Sequence, residues 1–256
     1  MCGRYCITSA PEAIRALFRY LEQPNFPPRY NVAPTQPVPI VRLVDGRRHF
    51  VLVRWGLIPS WVKDPKGFML LINARGESVN DKPAFRNAMK RRRCLFPADG
   101  FYEWKTEAGR KRPYFAHPTS GGPIAFAGLW ETWTGPNGEE LETAAIITTQ
   151  ANQTLSTVHH RAPVIVPQEA FDFWLDCDKV DAKTAAALIV PAPESAIDVY
   201  EVSPAVNRTS NNSPNLIVPY SALAEPSAVV PKSAGGRPKP QPRQRRNGDG
   251  DQGSLL

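Results

Sequence analysis

Runs of β-forming residues in this sequence are short, and turn residues cut each one off before it can lengthen. Val38–Val44 and His49–Trp55 are two such runs, joined at Asp45-Gly46, a pair that favours a tight hairpin turn. Arg93–Phe96, Gly100–Trp104, Pro113–Ala116, Ile124–Glu131, Thr143–Thr149 and Ala196–Val202 are further strands, punctuated by Gly109, Gly121-Gly122 and Asn137-Gly138. Helical spacing is confined to four stretches. The first is Pro11–Leu21, with Ser9 as its cap and Ile14, Leu17, Phe18 and Leu21 on one face. The others are Pro83–Lys90, Gln168–Leu175 and Asp181–Leu188. Strands do not alternate with helices, which argues against a doubly wound parallel sheet, and no glycine-rich phosphate loop is present. The expected fold is α+β: one domain with an antiparallel, barrel-like β core and peripheral helices.

The chain has 256 residues, enough for one domain with a sizeable core. Residues 1–225 read as that domain and 226–256 as a Pro/Gly/Arg-rich tail with too few apolar residues to fold. The tail holds six basic residues against Asp249 and Asp251, so it carries +4 of the net +7 and leaves +3 to the rest. Overall charge is therefore weak evidence for a nucleic-acid partner, although arginines lining a groove can act locally. No apolar run approaches the length of a membrane span, and Cys-Gly-Arg after Met1 is not an apolar signal core. The chain is accordingly expected to be cytoplasmic, with no membrane partner. Its four cysteines lack paired C-x-x-C spacing, which argues against a disulfide framework and a zinc site. Cys6, Cys94 and Cys177 are expected to be small buried hydrophobes.

Cys2 differs because removal of Met1 would leave it with a free amine. An amine and a thiol on adjacent carbons can condense with an aldehyde, first as an imine and then as a five-membered thiazolidine. Taken alone, a cysteine at position 2 carries little weight. Gly3 leaves room for a ligand beside it, and Arg4 can hold a phosphate.

Four other segments offer chemistry together with a bland alternative. In Ile72-Asn73-Ala74-Arg75 the amide and guanidinium share a side if the backbone is extended, but a plain loop with a surface arginine fits as well. Gly100-Phe101-Tyr102-Glu103-Trp104 sets one carboxylate among aromatics, where its pKa can rise, or where it can simply face water. Val158-His159-His160-Arg161 supplies imidazoles that titrate near neutrality, with no carboxylate or thiol at metal-ligand spacing. In Trp55-Gly56-Leu57-Ile58-Pro59-Ser60-Trp61, Trp55 reads as core and Trp61 as a wall on which a base can stack. Lys90-Arg91-Arg92-Arg93 is a candidate phosphate track, or a solvated charge run.

Taken in order, seven segments resemble the SRAP (SOS-response-associated peptidase) family of abasic-site processing proteins. They are the Met1–Tyr5, Tyr30–Thr35, Trp55–Trp61, Ile72–Glu77, Pro97–Trp104, Val158–Pro163 and Val202–Asn207 stretches. Each is weak singly; together and in order they are specific. The resemblance implies a single α+β domain around a barrel-like core. It implies that Cys2 is the nucleophile, Asn73 positions the reacting terminus, Glu103 shuttles protons and His159 protonates the sugar ring oxygen. Arg4, Arg75 and Arg161 would grip phosphates, with Trp61 beside them. His160 departs from relatives that carry an acidic residue there, and it is expected to alter the pKa of His159.

The resulting expectation is a monomeric enzyme of the DNA-damage response, without metal or cofactor. It would cross-link covalently through Cys2 to abasic sites in single-stranded DNA, and be nucleoid-associated when bound. The alternatives are a thiol peptidase acting through Cys2, and a module that only binds single-stranded DNA.

Overall fold

The computed structural model describes residues 2–223. Its strands are β1 (Tyr5–Ile7), β2 (Arg29–Val32), β3 (Pro37–Val44), β4 (Arg47–Trp55), β5 (Asn73–Arg75), β6 (Arg93–Ala98) and β7 (Gly100–Glu107). They continue with β8 (Arg110–Pro118), β9 (Ile124–Thr134), β10 (Glu140–Gln150), β11 (Arg161–Pro163), β12 (Ile165–Val166) and β13 (Ile197–Glu201). The helices are short: α1 (Pro11–Phe18), α2 (Arg86–Arg91), α3 (Gln153–Ser156), α4 (Phe171–Leu175), α5 (Ala182–Ala185) and α6 (Tyr220–Leu223).

The hairpin expected at Asp45-Gly46 is present, with Val44 opposite Arg47 and both turn residues at positive φ (49° and 71°). That conformation matches the twist of the flanking strands and needs a residue such as glycine. β3 and β4 then grow into a closed ring through β6, β9 and β10, because β10 is bonded on both edges. Ala144 faces Trp130 of β9 on one edge and Trp55 of β4 on the other. The ring is antiparallel apart from the β4–β10 contact, which is parallel, as is the β5–β10 ladder. Beyond the ring β10 continues between β5 and β11, with Thr148 opposite both Arg75 and Pro163.

A second sheet, in the order β13-β8-β7-β1-β2, lies against the barrel. Strand alternation divides its residues between two cores. Tyr5 and Phe101 join the barrel core, and both pack edge-to-face on Phe126. Cys6 and Tyr102 point the other way, into a smaller cluster with Phe115, Val202, Val206 and Leu216. Gly100 permits the tight β7–β8 approach, since a Cβ there would stand 2.6 Å from the Ala116 carbonyl oxygen. Each fully buried large aromatic contributes roughly 1.5–3 kcal/mol.

Several local expectations are corrected. α1 stops at Phe18 because Arg19 adopts the left-handed conformation (φ 54°). Ser9 does not cap it; its hydroxyl donates to Asp99, whose other carboxylate oxygen accepts the Thr8 and Ser9 amides. Asp99 thereby fixes the exit of β1 to the β6–β7 corner. Asp181, expected to start the last helix, is its cap and accepts from the Lys183 and Thr184 amides. Arg93 is no phosphate contact: it is 1% exposed and donates to the carbonyls of Trp174, Met89, Asp176 and Val180. Cys6 and Cys94 are buried as expected, whereas Cys177 is half-buried. No helix among the described residues is long and apolar enough to cross a membrane. The tail expected over 226–256 lies outside the described residues.

Candidate active site

The β1–β7 register builds the site. Cys6 pairs with Gly100 and Tyr5 with Phe101, and the Tyr102 amide donates to the Arg4 carbonyl at 2.9 Å. Continuing that register toward the amino terminus sets Gly3 opposite Glu103, and the neighbouring Cys2 thiol is close enough to feel the Glu103 charge. Glu103 shares the barrel-facing side of β7 with Phe101, while Tyr102 and Trp104 pack on the outer cluster. The alternation left open by the sequence is thus decided by which face meets the barrel. Glu103 is 6% exposed and Cys2 is fully buried.

Asn73 reaches the same point from the opposite sheet. β5 lies parallel to β10 with Asn73 opposite Ile146, and the Asn73 side-chain amide donates to the Cys2 carbonyl at 2.9 Å. Trp55 holds the two approaches together. Its ring stands edge-on to Tyr5 at 5.3 Å, and its indole N–H donates to the Ile72 carbonyl at 3.0 Å. Among the described residues Asn73 Oδ1 is buried with no hydrogen-bond partner. A donor supplied by a substrate or by a freed amine would satisfy it.

His159 sits on the turn between α3 and β11. The turn is anchored by the Asn152 side chain, which caps α3 at the Leu155 amide and donates to the Ala192 and Pro193 carbonyls. Both backbone groups of Arg161 meet His159 Nδ1, the amide N–H at 3.0 Å and the carbonyl oxygen at 3.2 Å, so Arg161 holds the ring at this nitrogen. His160 stacks on His159 at 4.4 Å and is exposed.

Glu103 and His159 both line a cavity of about 480 Å3, together with Arg4, Trp104, Lys111 and Asn207. Arg4 is clamped at its rear by Asn31 Oδ1 (2.7 Å) and the Val206 carbonyl (2.9 Å), and it lies 5.7 Å from the Trp104 ring. Asn207 in turn accepts from the Trp104 indole at 2.8 Å. Asn31, Lys111 and Asn207 had no role in the sequence reading. Asn31 and Asn207 lay in two of the seven segments, and that membership was their only signal.

The remaining expected residues are placed differently. Arg75 is exposed at the end of β5. Arg161 is held by Glu77 and Thr148. Trp61 is 57% exposed and stands edge-on to Phe68 at 5.7 Å, on a loop packed against Trp133 and Leu141. Leu141 precedes Ile146, which faces Asn73, by five positions on β10, roughly 17 Å of strand. Trp61 does not line the cavity.

Electrostatics separate the two proton-transfer candidates. Burial holds the Glu103 carboxyl above the usual carboxylate range, with His160 among the charges that oppose the shift. Burial likewise pushes His159 below the usual imidazole value, so it is biased toward the neutral form. The expected influence of His160 runs the other way: His159 is the largest cause of the lowered pKa of His160. The Cys2 thiol is pushed well up, first by burial and then by repulsion from Glu103. Among the described residues no cluster of three or more His, Cys, Asp or Glu forms a metal site.

Comparison with known proteins bears on the family and the fold. The sequence profile of the family described as SOS response associated peptidase (SRAP) matches residues 1–209. The abasic site processing protein YoqW of Bacillus subtilis (strain 168) is 38% identical over 221 residues, covering 85% of this chain and 99% of YoqW. The abasic site processing protein HMCES of Mus musculus is 32% identical over 266 residues, covering 88% of this chain and 75% of HMCES. A crystal structure of a Bacteroides thetaiotaomicron protein superposes with a TM-score of 0.78 at 26% identity, over 85% of this chain and 99% of that one. With the closed barrel, the seven segments and these relatives in agreement, the chain belongs to the SOS response associated peptidase (SRAP) family.

Proposed function

We propose that this protein captures abasic sites in single-stranded DNA by bonding covalently through Cys2 once Met1 has been removed. The observation that carries the reading is the convergence of Asn73 and Glu103 on Cys2, beneath a cavity lined by His159 and Arg4. The names of the relatives point to the same substrate class.

The amine of Cys2 attacks the aldehyde carbon of the ring-opened sugar, and water leaves to give an imine. The thiol then adds to that carbon, its proton passes to the nitrogen, and a thiazolidine closes. The overall exchange is one aldehyde and one aminothiol for one thiazolidine and one water. Glu103, protonated more readily than an exposed carboxyl, donates to the departing oxygen and as carboxylate takes the thiol proton. His159 is biased toward neutral in the free protein; a DNA phosphate in the cavity would raise its pKa and let it protonate the sugar ring oxygen. Arg4, clamped from behind, and Lys111 at the rim give the backbone two cations, and Arg75 is exposed nearby at the end of β5.

The family's description includes peptidase activity. A thiol peptidase needs a thiolate, whereas burial and Glu103 both favour the protonated thiol of Cys2. Intact-mass analysis of Glu103→Gln addresses this directly, because retained Met1 would indicate self-processing by the site. The main test is a denaturing gel of Met1-trimmed protein with single-stranded DNA bearing one abasic site. A shifted band that survives denaturant, is absent with intact DNA and is lost in Cys2→Ala is the expected result. In Cys2→Ala, salt-sensitive DNA binding should persist. No shifted band, with loss of Met1 verified by mass, would overturn the reading.

A further inference from the structure

Arg161 was expected to grip phosphate, yet its guanidinium is already engaged. Glu77 accepts from it in bidentate fashion, Nη1 to Oε1 at 2.5 Å and Nη2 to Oε2 at 3.0 Å. Nη2 also donates to the Thr148 carbonyl at 2.7 Å and lies 3.2 Å from its hydroxyl. The Arg161 side chain is 11% exposed. Bidentate arginine–carboxylate pairs hold geometry as well as charge, since two parallel N–H···O bonds fix the plane of both groups.

The position of this pair in the fold gives it a task. Glu77 lies in the short 3-10 turn that follows β5, four residues after Asn73. Arg161 opens β11, two residues after His159, and its backbone N–H meets His159 Nδ1. β5 and β11 lie on opposite edges of β10, both registered at Thr148. The Glu77–Arg161 pair therefore spans β10 directly above Thr148 and ties the strand that holds Cys2 to the turn that presents His159.

We propose that Glu77 is a positioning residue, acting through Arg161 to fix the orientation and tautomer of the His159 imidazole relative to Cys2. The proposal rests on the reading of His159 as a proton-transfer group in cross-linking. Glu77 touches no reacting atom. Its contribution is to keep Arg161 folded across β10, so that at Nδ1 the Arg161 amide outcompetes the Arg161 carbonyl and the Nε2–H form is favoured. Arg161 thereby serves as a strut across β10 in the free protein.

The test compares the full-length wild type with Glu77→Gln, a near-isosteric change that weakens the bidentate pair. Two readouts are used. One is the single-turnover cross-linking rate at saturating abasic single-stranded DNA, with non-covalent affinity measured in a Cys2→Ala background. The other is the 15N chemical shifts of the His159 ring, which report the tautomer without DNA. We expect a rate loss of about tenfold or more, in line with the cost of misplacing a catalytic group, and less than a twofold change in affinity. The population of the Nε2–H tautomer of His159 should fall in parallel. Glu77→Asp, which keeps the charge but shortens the reach, should fall between the two and serves as the comparison if Glu77→Gln does not fold. An unchanged tautomer and rate would overturn the proposal. So would a change in affinity with an unchanged rate, which would return Arg161 to the phosphate track. If the wild type forms no cross-link, the proposed function fails, and the tautomer measurement still decides whether Glu77 holds His159.

Discussion

The barrel wall around Trp130 and the cavity beneath His159 are built from the same residue types at similar burial. Glu131 is 4% exposed and Glu103 6%, and burial raises the pKa of both. Their neighbours differ. Glu131 faces Arg92 at 3.3 Å and accepts its neighbour's amide from Thr132. Arg42 pairs with Glu142 at 2.5 Å, and the Trp130 ring lies 4.3 Å from Arg42 and 5.8 Å from Arg92. Around Glu103 the groups identified electrostatically are the chain's amino group, the largest of the opposing charges, an imidazole, His160, and a thiol, Cys2. A guanidinium keeps its charge and opposes protonation of a carboxylate throughout the ordinary pH range, whereas titratable neighbours gain and lose charge alongside it. The difference between a structural and a chemical glutamate lies in the partner and not in the depth.

The sharpest way to break that comparison is to neutralise both glutamates. Glu103→Gln should slow cross-linking on the order of 100-fold, the usual worth of a general acid–base, with little loss of stability. Glu131→Gln should leave the cross-linking rate unchanged and lower stability by about 1–3 kcal/mol through the weakened partner at Arg92. Single-turnover rates and denaturant midpoints of the two variants decide it; a slow Glu131→Gln would erase the distinction.

Arg93 extends the contrast to the cations. Arg93→Ala strips donors from four carbonyls and should cost about 3–5 kcal/mol, leaving the salt dependence of DNA binding unaltered. Its exposed neighbour Arg91 offers the opposite outcome: if it contacts phosphate, Arg91→Ala lowers the salt slope by about 1 with stability intact. Denaturant melts and binding isotherms at several salt concentrations separate the two.

Acidity sharpens the comparison further. The folded state raises the Glu103 pKa, so the stability linked to its protonated form is complete below its ordinary value of 4.5 and is lost as pH climbs through the raised value. The folded state lowers the His159 pKa, so its contribution is present above 6.5 and is lost as pH falls through the lowered value. Glu103→Gln should therefore gain stability relative to wild type as pH rises above 4.5 and through the raised value, and denaturant midpoints along that rise measure it. The smallest effect expected is at Tyr5, whose buried hydroxyl has no partner among the described residues. Tyr5→Phe should be neutral or stabilising by up to about 1 kcal/mol, because it removes an unmet polar group and keeps the ring.

Much of this was legible in the sequence. Strand positions and the Asp45-Gly46 hairpin follow from residue type and turn chemistry, which act over a few residues. The seven ordered segments named Cys2, Asn73, Glu103 and His159, and the fold brings these together. Arg93 was misplaced because a charge run carries no sign of which member turns inward to meet the carbonyls of α4 and the segment after it. The place of Trp61 outside the cavity and the tie of Arg161 to Glu77 were illegible for a related reason: the segment fixed their neighbours in sequence, and packing fixed their neighbours in space.

The sequence by itself determined the α+β class, the short strands, the hairpin and the family, because periodicity, turn residues and ordered motifs are properties of adjacent positions. Only the tertiary structure decided the partners. Asn73 meets Cys2 across 71 residues, Arg161 meets Glu77 across 84, and Arg4 meets Val206 across 202. The closed ring of β10, β4, β3, β6 and β9 selects those contacts, and the face of β7 that meets this barrel turns Glu103 inward beside Cys2. No local rule contains that choice, since either face of an isolated strand is equally available until a second sheet covers one of them.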